Sequence, residues 1–502
     1  WTDVTSNIKD LPAGSWVAQI KASNKNKGEA LLIANDYRRF NYMPYAYRTT
    51  NYGKTWTRIV DAEDVQSYTL SIVEDPIEKN LLFLGTDDGL YVSFNAGKKW
   101  TKWTNGFPTV SVKDLIIHPR EHDLIIGTFG RAAWVLDDIR PLRAMAKNQE
   151  VINQKLELFE PPTAYQAAYQ QPTGSRFGAD AMYHGENRDY GARLSYFVKI
   201  DATKESSKDE DEDEDEDEDV EDKKQDDSNV SEDISEEKED IDENLKQVQV
   251  SWDSIHLKIY DGDRLIRTQK QKAPDSTGLY KWTWYMEEAG VDYPSKRIKK
   301  RTNEPGGVTV KPGNYKLVMN FGDQTSEQMI TVKSDPRVNV SMVNINQVYD
   351  ASKQLEGMQQ TAADAVKQLI ESKTIAKDYQ SLLSKLDKKK YKDDIKASKA
   401  IIKNIDSIVD QFLGKEDKRQ GITRNSEVTV MQRLGQARQY VGSRQNGITA
   451  TETTLIKNAK DALETVLTEI NTFFNDHWKP YQSKMEQVQP NPFKDLRAFK
   501  LD

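Results

Sequence analysis

Two stretches of this 502-residue chain follow one plan. Thr49-Thr50-Asn51-Tyr52-Gly53-Lys54-Thr55-Trp56 and Ser93-Phe94-Asn95-Ala96-Gly97-Lys98-Lys99-Trp100 lie 44 residues apart. Each places a hydroxyl residue, Asn two later, Gly two after that and Trp three further on. A second match runs beside it: Pro76 and Gly85-Thr86 return as Pro119 and Gly127-Thr128, at offsets of 43 and 42. A period of about 40–50 residues holding several short strands is the mark of propeller blades, because one blade cannot bury both its faces alone. Strand-like alternation at 16–20, 29–34 and 46–49, at 67–72, 81–85 and 90–93, and at 112–117, 123–127 and 132–136 makes three blades. Propellers close with roughly 4–8 blades, and an open array exposes apolar faces and strand edges. The expectation is a C-terminal piece of a larger propeller, with Trp1 the last residue of a further copy of the motif. An upstream segment or a second fragment would supply the remainder.

The two motifs resemble the Asp-box, or bacterial neuraminidase repeat, S/T-x-D-x-G-x-x-W. The resemblance implies a hairpin turn between outer blade strands, in which the polar side chain bonds the turn backbone. Gly takes a positive φ there and Trp packs between blades. Thr49, Asn51, Gly53 and Trp56, and Ser93, Asn95, Gly97 and Trp100, are its structural residues. Asn replaces Asp in both copies, so neither calcium nor a catalytic carboxylate is expected at them. Residues 1–140 resemble sortilin-type and xyloglucanase-type propellers of large secreted bacterial proteins, many of them named glycosyl hydrolase from the repeat alone. His118 to Leu142 resembles the segment that closes the propeller in that branch.

Beyond about residue 145 the pattern changes. Residues 146–190 read as a linker, and 191–340 as a β-sandwich of about six strands with a hairpin signal at Asp261-Gly262-Asp263. Pro312-Gly313-Asn314-Tyr315 resembles the P-G-x-Y turn of immunoglobulin-like or fibronectin-like modules, and Asp335-Pro336-Arg337 their exit. The family's N-P-P is Asn187-Arg188-Asp189 here. Inside the sandwich lies an acidic insertion, 203–248, expected to be a disordered surface loop. Residues 205–243 hold 24 acids and 4 lysines, so a chain of net charge −9 is −20 there and +11 elsewhere. That run lacks the Gly and ligand spacing of a calcium loop. From 343 to 480 the apolar period becomes about 3.6, giving a four-helix antiparallel bundle, and 481–502 reads as an extended tail. The predicted fold class is multidomain, β then α: partial propeller, Ig-like sandwich and helical bundle.

The absence of cysteine removes disulfides, thiolate nucleophiles and Cys-ligated zinc. No apolar run reaches ~18 residues, so no transmembrane segment is expected in this chain, and no basic patch suggests nucleic acid. His118 and His122 flank Pro119 and lack the zincin order, so neither a metal nor another cofactor is expected. Glycoside hydrolysis needs two carboxylates ~5–10 Å apart. Asp36, Asp87, Asp88, Asp137 and Asp138 are the candidates, several of them in turn positions, and no catalytic residue is assigned. Arg38, Arg39, Arg48 and Arg131 could serve a sialidase only if they converged. Tyr37, Arg38, Arg39 and Tyr45, with Arg131, form the candidate binding set, because aromatic faces and guanidinium forks suit sugar rings or peptide carboxylates.

The leading reading is a non-catalytic exported binding or scaffold protein. It would hold a peptide or glycan within an envelope assembly, with an envelope protein or glycan as partner. Its place would be the periplasm, the outer-membrane surface or the extracellular space. The alternative is a secreted glycoside hydrolase whose acids lie mostly in other blades.

Overall fold

The computed structural model describes residues 3–167, 188, 190–200, 252–298, 301, 303–415, 428–444 and 446–488. Trp1, His184, Asn187, Asp189, the acidic insertion and residues 489–502 lie outside them.

Three antiparallel meanders open the chain. The first is β1 (Trp16–Ala22), β2 (Ala30–Asp36), β3 (Asn41–Thr49) and β4 (Thr57–Arg58). The second is β5 (Thr69–Glu74), β6 (Leu82–Thr86), β7 (Gly89–Ser93) and β8 (Thr101–Trp103). The third is β9 (Val112–Ile117), β10 (Leu124–Thr128) and β11 (Ala133–Leu136). Period-2 alternation gives each sheet two apolar faces, and the facing sides of successive sheets pack together. Leu31, Ile33 and Ala46 of the first sheet pack on Ile72, Leu84 and Tyr91 of the second. Phe83, Leu90 and Val92 on the far side of the second pack on Val112, Leu115 and Ile126 of the third. The short strands β4 and β8 escaped the sequence reading, since two or three residues carry no alternation.

The two repeated turns are built alike. Thr49 Oγ1 accepts the Gly53 N–H at 3.0 Å and Ser93 Oγ the Gly97 N–H at 2.9 Å. Asn51 Oδ1 accepts the Thr55 N–H at 2.9 Å and Asn95 Oδ1 the Lys99 N–H at 2.8 Å. Gly53 and Gly97 take φ of 78° and 89°, the left-handed region where a Cβ is costly. The Trp100 indole sits in the cluster shared by the first two sheets and donates to Ile59 O at 2.7 Å.

α1 (Arg140–Lys147) follows directly and seals the second and third sheets with Ile139, Leu142 and Ala146. Buried Arg143 donates from Nε to Asp75 Oδ2 at 2.8 Å, fastening the helix across 68 residues of chain.

The stretch expected to be a linker carries structure. β12 (Leu156–Leu158) pairs with β14 (Ala192–Val198), and β13 (Ala164–Gln166) lies parallel to β21 (Gln324–Ser334). The sandwich therefore begins near residue 156, not 191. Three-residue strands give no periodic signal, and only their pairing partners reveal them. With β15 (Ser254–Asp261), β16 (Arg264–Lys272), β17 (Gly278–Trp284) and β20 (Gly313–Phe321), the strands form sheets ordered β12-β14-β17 and β13-β21-β20-β15-β16. Their inner faces share one core, including Trp282, Trp284, Leu257 and Leu317. The hairpin β18 (Glu287–Ala289) and β19 (Gly306–Thr309) stands beside them.

The helices are α2 (Met342–Asp387), α3 (Lys392–Leu413), α4 (Val430–Gly442), α5 (Ala450–Phe473) and α6 (Lys479–Val488). Leu355, Val366, Ile405, Phe412, Leu434, Leu463 and Phe473 meet in a single core. The bundle does not stop at Pro480. A π-helical turn, Phe474–Trp478, carries α5 into α6, and Pro480 occupies the second position of α6, where a missing N–H costs no helical bond. Residues 481–488 are thus helical instead of extended, with Tyr481 and Met485 buried in the bundle core.

Candidate ligand-binding rim

The β2–β3, β6–β7 and β10–β11 turns share one end of the three sheets with the starts of β1, β5 and β9, as the pairings Trp16–Asn35 and Thr69–Thr86 require. At that end, a short 3-10 turn, Tyr37–Arg39, follows β2. Tyr37 stacks on Tyr68 with centroids 4.7 Å apart, and Tyr42 lies 6.1 Å from Tyr68. The Arg38 guanidinium sits 5.4 Å from the Trp16 ring and 5.7 Å from Tyr37. Trp16 is 59 % exposed and Phe40 85 %, and Phe40 is held at φ 63°. A bulky residue in the left-handed region stores strain that the fold must offset, and such residues cluster at ligand sites.

The predicted binding residues divide. Tyr37 and Arg38 are on the rim and open to solvent on one side. Arg39 turns back: its Nε donates to Asp36 Oδ1 at 2.6 Å. Tyr45 is buried in the first sheet, with the Arg58 guanidinium 4.9 Å over its ring, so it is not a surface contact. The alternation along β3 turns its side chain inward, a consequence of register that the loop's composition hides. Arg131 lies on the β10–β11 turn, its carbonyl accepting the Trp134 indole at 2.9 Å, with no described contact to Tyr37 or Arg38. Trp16 and Tyr68 are the members that sequence reasoning missed; each is over 20 residues from the loop and is brought in only by strand pairing.

The candidate carboxylates are all engaged. Hydrogen bonds from Arg39, reinforced by Asn41, hold Asp36 below the usual carboxylate range. Burial pushes Asp88 up, but Lys102 at 2.8 Å and the Thr86 hydroxyl at 2.6 Å outweigh it and lower it. Asp87 accepts the Ser111 hydroxyl at 2.7 Å. Burial first, then Asp87 beside it, raises the Tyr68 hydroxyl, so Tyr68 stays protonated. Asp138 is bound by Arg140 at 2.6 Å and Asp137 by Arg188 at 3.0 Å, at the opposite end of the sheets. A general acid needs a raised pKa. Among the described residues, the carboxyl groups raised by burial, Glu157 and Glu287, both belong to the sandwich region. His118 and His122 occupy a turn, where His122 Nδ1 lies 3.0 Å from Arg143. Among the described residues, no group of three or more metal-ligating side chains converges.

Comparison with known proteins places a similarity on these sheets. The family described as sortilin, neurotensin receptor 3 matches residues 45–140. No curated protein matches. Among solved structures, a GH74 enzyme from Niastella koreensis is 22% identical, covers 24% of this chain and 21% of its own, and has a TM-score of 0.22. The GH74 xyloglucanase from Xanthomonas campestris is 16% identical over 24% of this chain and 22% of its own, with a TM-score of 0.21. An ancestral GH74 enzyme is 18% identical over 24% of this chain and 14% of its own, with a TM-score of 0.20. The chain thus matches between 14% and 22% of the length of these structures. Residues 45–140 are sortilin-like, and they run from β3 to the start of α1. Among the described residues, no helix is long and apolar enough to cross a membrane.

Proposed function

We propose that this chain is an exported, non-catalytic binding or scaffold protein whose three sheets are blades of a sortilin-like propeller. Its rim holds a peptide or glycan within an envelope assembly. The observation that carries this reading is the solvent-open platform of Trp16, Tyr37, Arg38 and Tyr42 beside carboxylates already engaged by their own neighbours. Flat rings and a guanidinium recognise sugar faces or peptide carboxylates without needing a free acid. The Tyr315 hydroxyl donating to Lys311 O at 2.5 Å supports an Ig-like sandwich, because that bond ties a strand to the turn before it. A sandwich and a bundle rich in surface charge then serve as spacers that present the rim. The alternative is a secreted glycoside hydrolase whose catalytic carboxylates lie mostly on blades other than these three.

The test is an oligosaccharide and peptide array probed with the purified chain, followed by titration of each hit. Trp16→Ala and Arg38→Ala are each expected to weaken binding at least tenfold, about 1.4 kcal/mol. Release of sugar from any hit, abolished by Asp→Asn at Asp36 or Asp87, would instead establish the enzyme.

A further inference from the structure

The repeat relates more than the two turns. Gly85-Thr86 of β6 corresponds to Gly127-Thr128 of β10, and the strand registers carry that match outward to β5 and β9 and to β7 and β11. Across the second sheet, the register puts Val73, Phe83 and Val92 in one row and Ser71, Gly85 and Leu90 in the next. The same rows in the third sheet are Ile116, Ile125 and Val135, then Asp114, Gly127 and Ala133.

These equivalent rows meet different fates. In the second sheet, Phe83 and Val92 are 0% and 2% exposed, because β9 lies on them. In the third sheet, Ile116 and Val135 are 54% and 55% exposed. The glycines explain what the row is for. A Cβ on Gly85 would stand 2.6 Å from Val112 Cγ1 and 2.7 Å from Val112 O, so the missing side chain is what admits the backbone of the next inner strand. On Gly127 a Cβ would meet only its own sheet, at Asp114, 3.6 Å away. The notch is kept, and the nearest atoms to it belong to its own sheet; along the row, Asp114 faces the Lys21 ammonium of β1 at 4.0 Å. A glycine inside a strand weakens it unless another backbone comes close.

The other end of the array tells the same story. The Trp100 indole donates at 2.7 Å to Ile59 O, just past β4 of the preceding sheet. Its counterpart 44 residues earlier, the Trp56 indole N–H, is buried without a partner among the described residues. A buried donor without an acceptor is costly, so that face is built for a neighbour too.

We infer that the outward face of the third sheet, the Ile116–Ile125–Val135 row with the Gly127 notch, docks the inner strand of a further sheet of this same repeat. That sheet is carried on polypeptide other than residues 1–502. The inference rests on the blade reading and adds to it the contact face and the kind of partner. The partner strand presents a β-branched or small apolar residue at the place of Val112, with its backbone against Gly127.

The experiment uses the protein in the cells that produce it. p-Benzoylphenylalanine placed at position 135 is irradiated, and the adduct is mapped by mass spectrometry. Hydroxyl-radical footprinting of Ile116 and Val135 runs in parallel. The expected result is protection of both residues and an adduct to a stretch carrying hydroxyl-x-Asn/Asp-x-Gly-x-x-Trp outside residues 1–502. An adduct within 1–502 of a second copy overturns the inference. So does an adduct to a protein without the repeat, and so does full labelling of Ile116 and Val135 with no adduct. Ligand titration on the same preparation separates this outcome from the rim: docking lost with binding kept refutes only the inference.

Discussion

Gly85 and Gly127 hold equivalent positions in successive sheets, and replacing each by alanine should give opposite results. At Gly85 the new methyl would lie 2.3 Å from Ser71 Oγ, 2.6 Å from Val112 Cγ1 and 2.7 Å from Val112 O. The serine can rotate, but a strand carbonyl cannot without moving β9. Overpacking of this kind costs about 1–3 kcal/mol. Removing a glycine from the unfolded chain returns about 0.4–1 kcal/mol, which leaves a net loss of about 1–2 kcal/mol. At Gly127 the nearest atom is 3.6 Å away, an ordinary contact, so only the entropic gain remains and Gly127→Ala is neutral or slightly stabilising in the isolated chain. For a unit of about 150 residues, 1 kcal/mol moves the melting point by about 2–4 °C. The sandwich and bundle melt on their own terms, so the readout is hydrogen exchange of the β5, β6 and β9 amides alongside calorimetry. Gly85→Ala should lower the sheet transition by several degrees and speed exchange in all three strands. Equal effects of the two substitutions would refute the reasoning, because they would mean that strand propensity, and not the approach of the next sheet, decides the cost.

Two further outcomes follow from the geometry. Arg143→Met leaves Asp75 buried without its cation and should cost about 3–5 kcal/mol, releasing α1 from the sheets, as proteolysis after residue 139 would report. Glu452 closes the capping box of α5 with Thr449 and pairs with Arg444, and the Thr449 hydrogen bond foremost holds its carboxyl at about 2, below its ordinary 4.5. A depressed pKa stabilises the fold above the unfolded value and is lost as protons bind. Bundle stability should therefore fall as pH drops from about 4.5 to 2, and Glu452→Gln should flatten that limb in a pH series of urea melts.

The alternation and spacing in residues 16–136 marked nine strands in three sheets, because a repeat with two turn glycines and a tryptophan admits few other arrangements. The 3.6 period from residue 343 marked the helices for a similar reason: a long apolar stripe has one cheap way to be buried. Neither signal exists in β12 and β13, whose three residues acquire meaning only beside β14 and β21. Pro480 looked like a stop because a lone proline breaks a helix; the π turn before it moved the break to a helix start.

The rim divides in the same way. Its composition was legible in Tyr37-Arg38-Arg39, where rings stand beside guanidinium groups, the pairing on which the proposed ligand contact rests. Which of those side chains face solvent was not. Arg39 was drawn to Asp36, Tyr45 turned into the sheet, and Trp16 and Tyr68 arrived from strands 21 and 31 residues away from Tyr37. Local pattern determines what a segment is made to do, because turns and periodicity are written within a few residues. Register and sheet-on-sheet packing decide which side chains meet, because those contacts close over distances that no local pattern encodes.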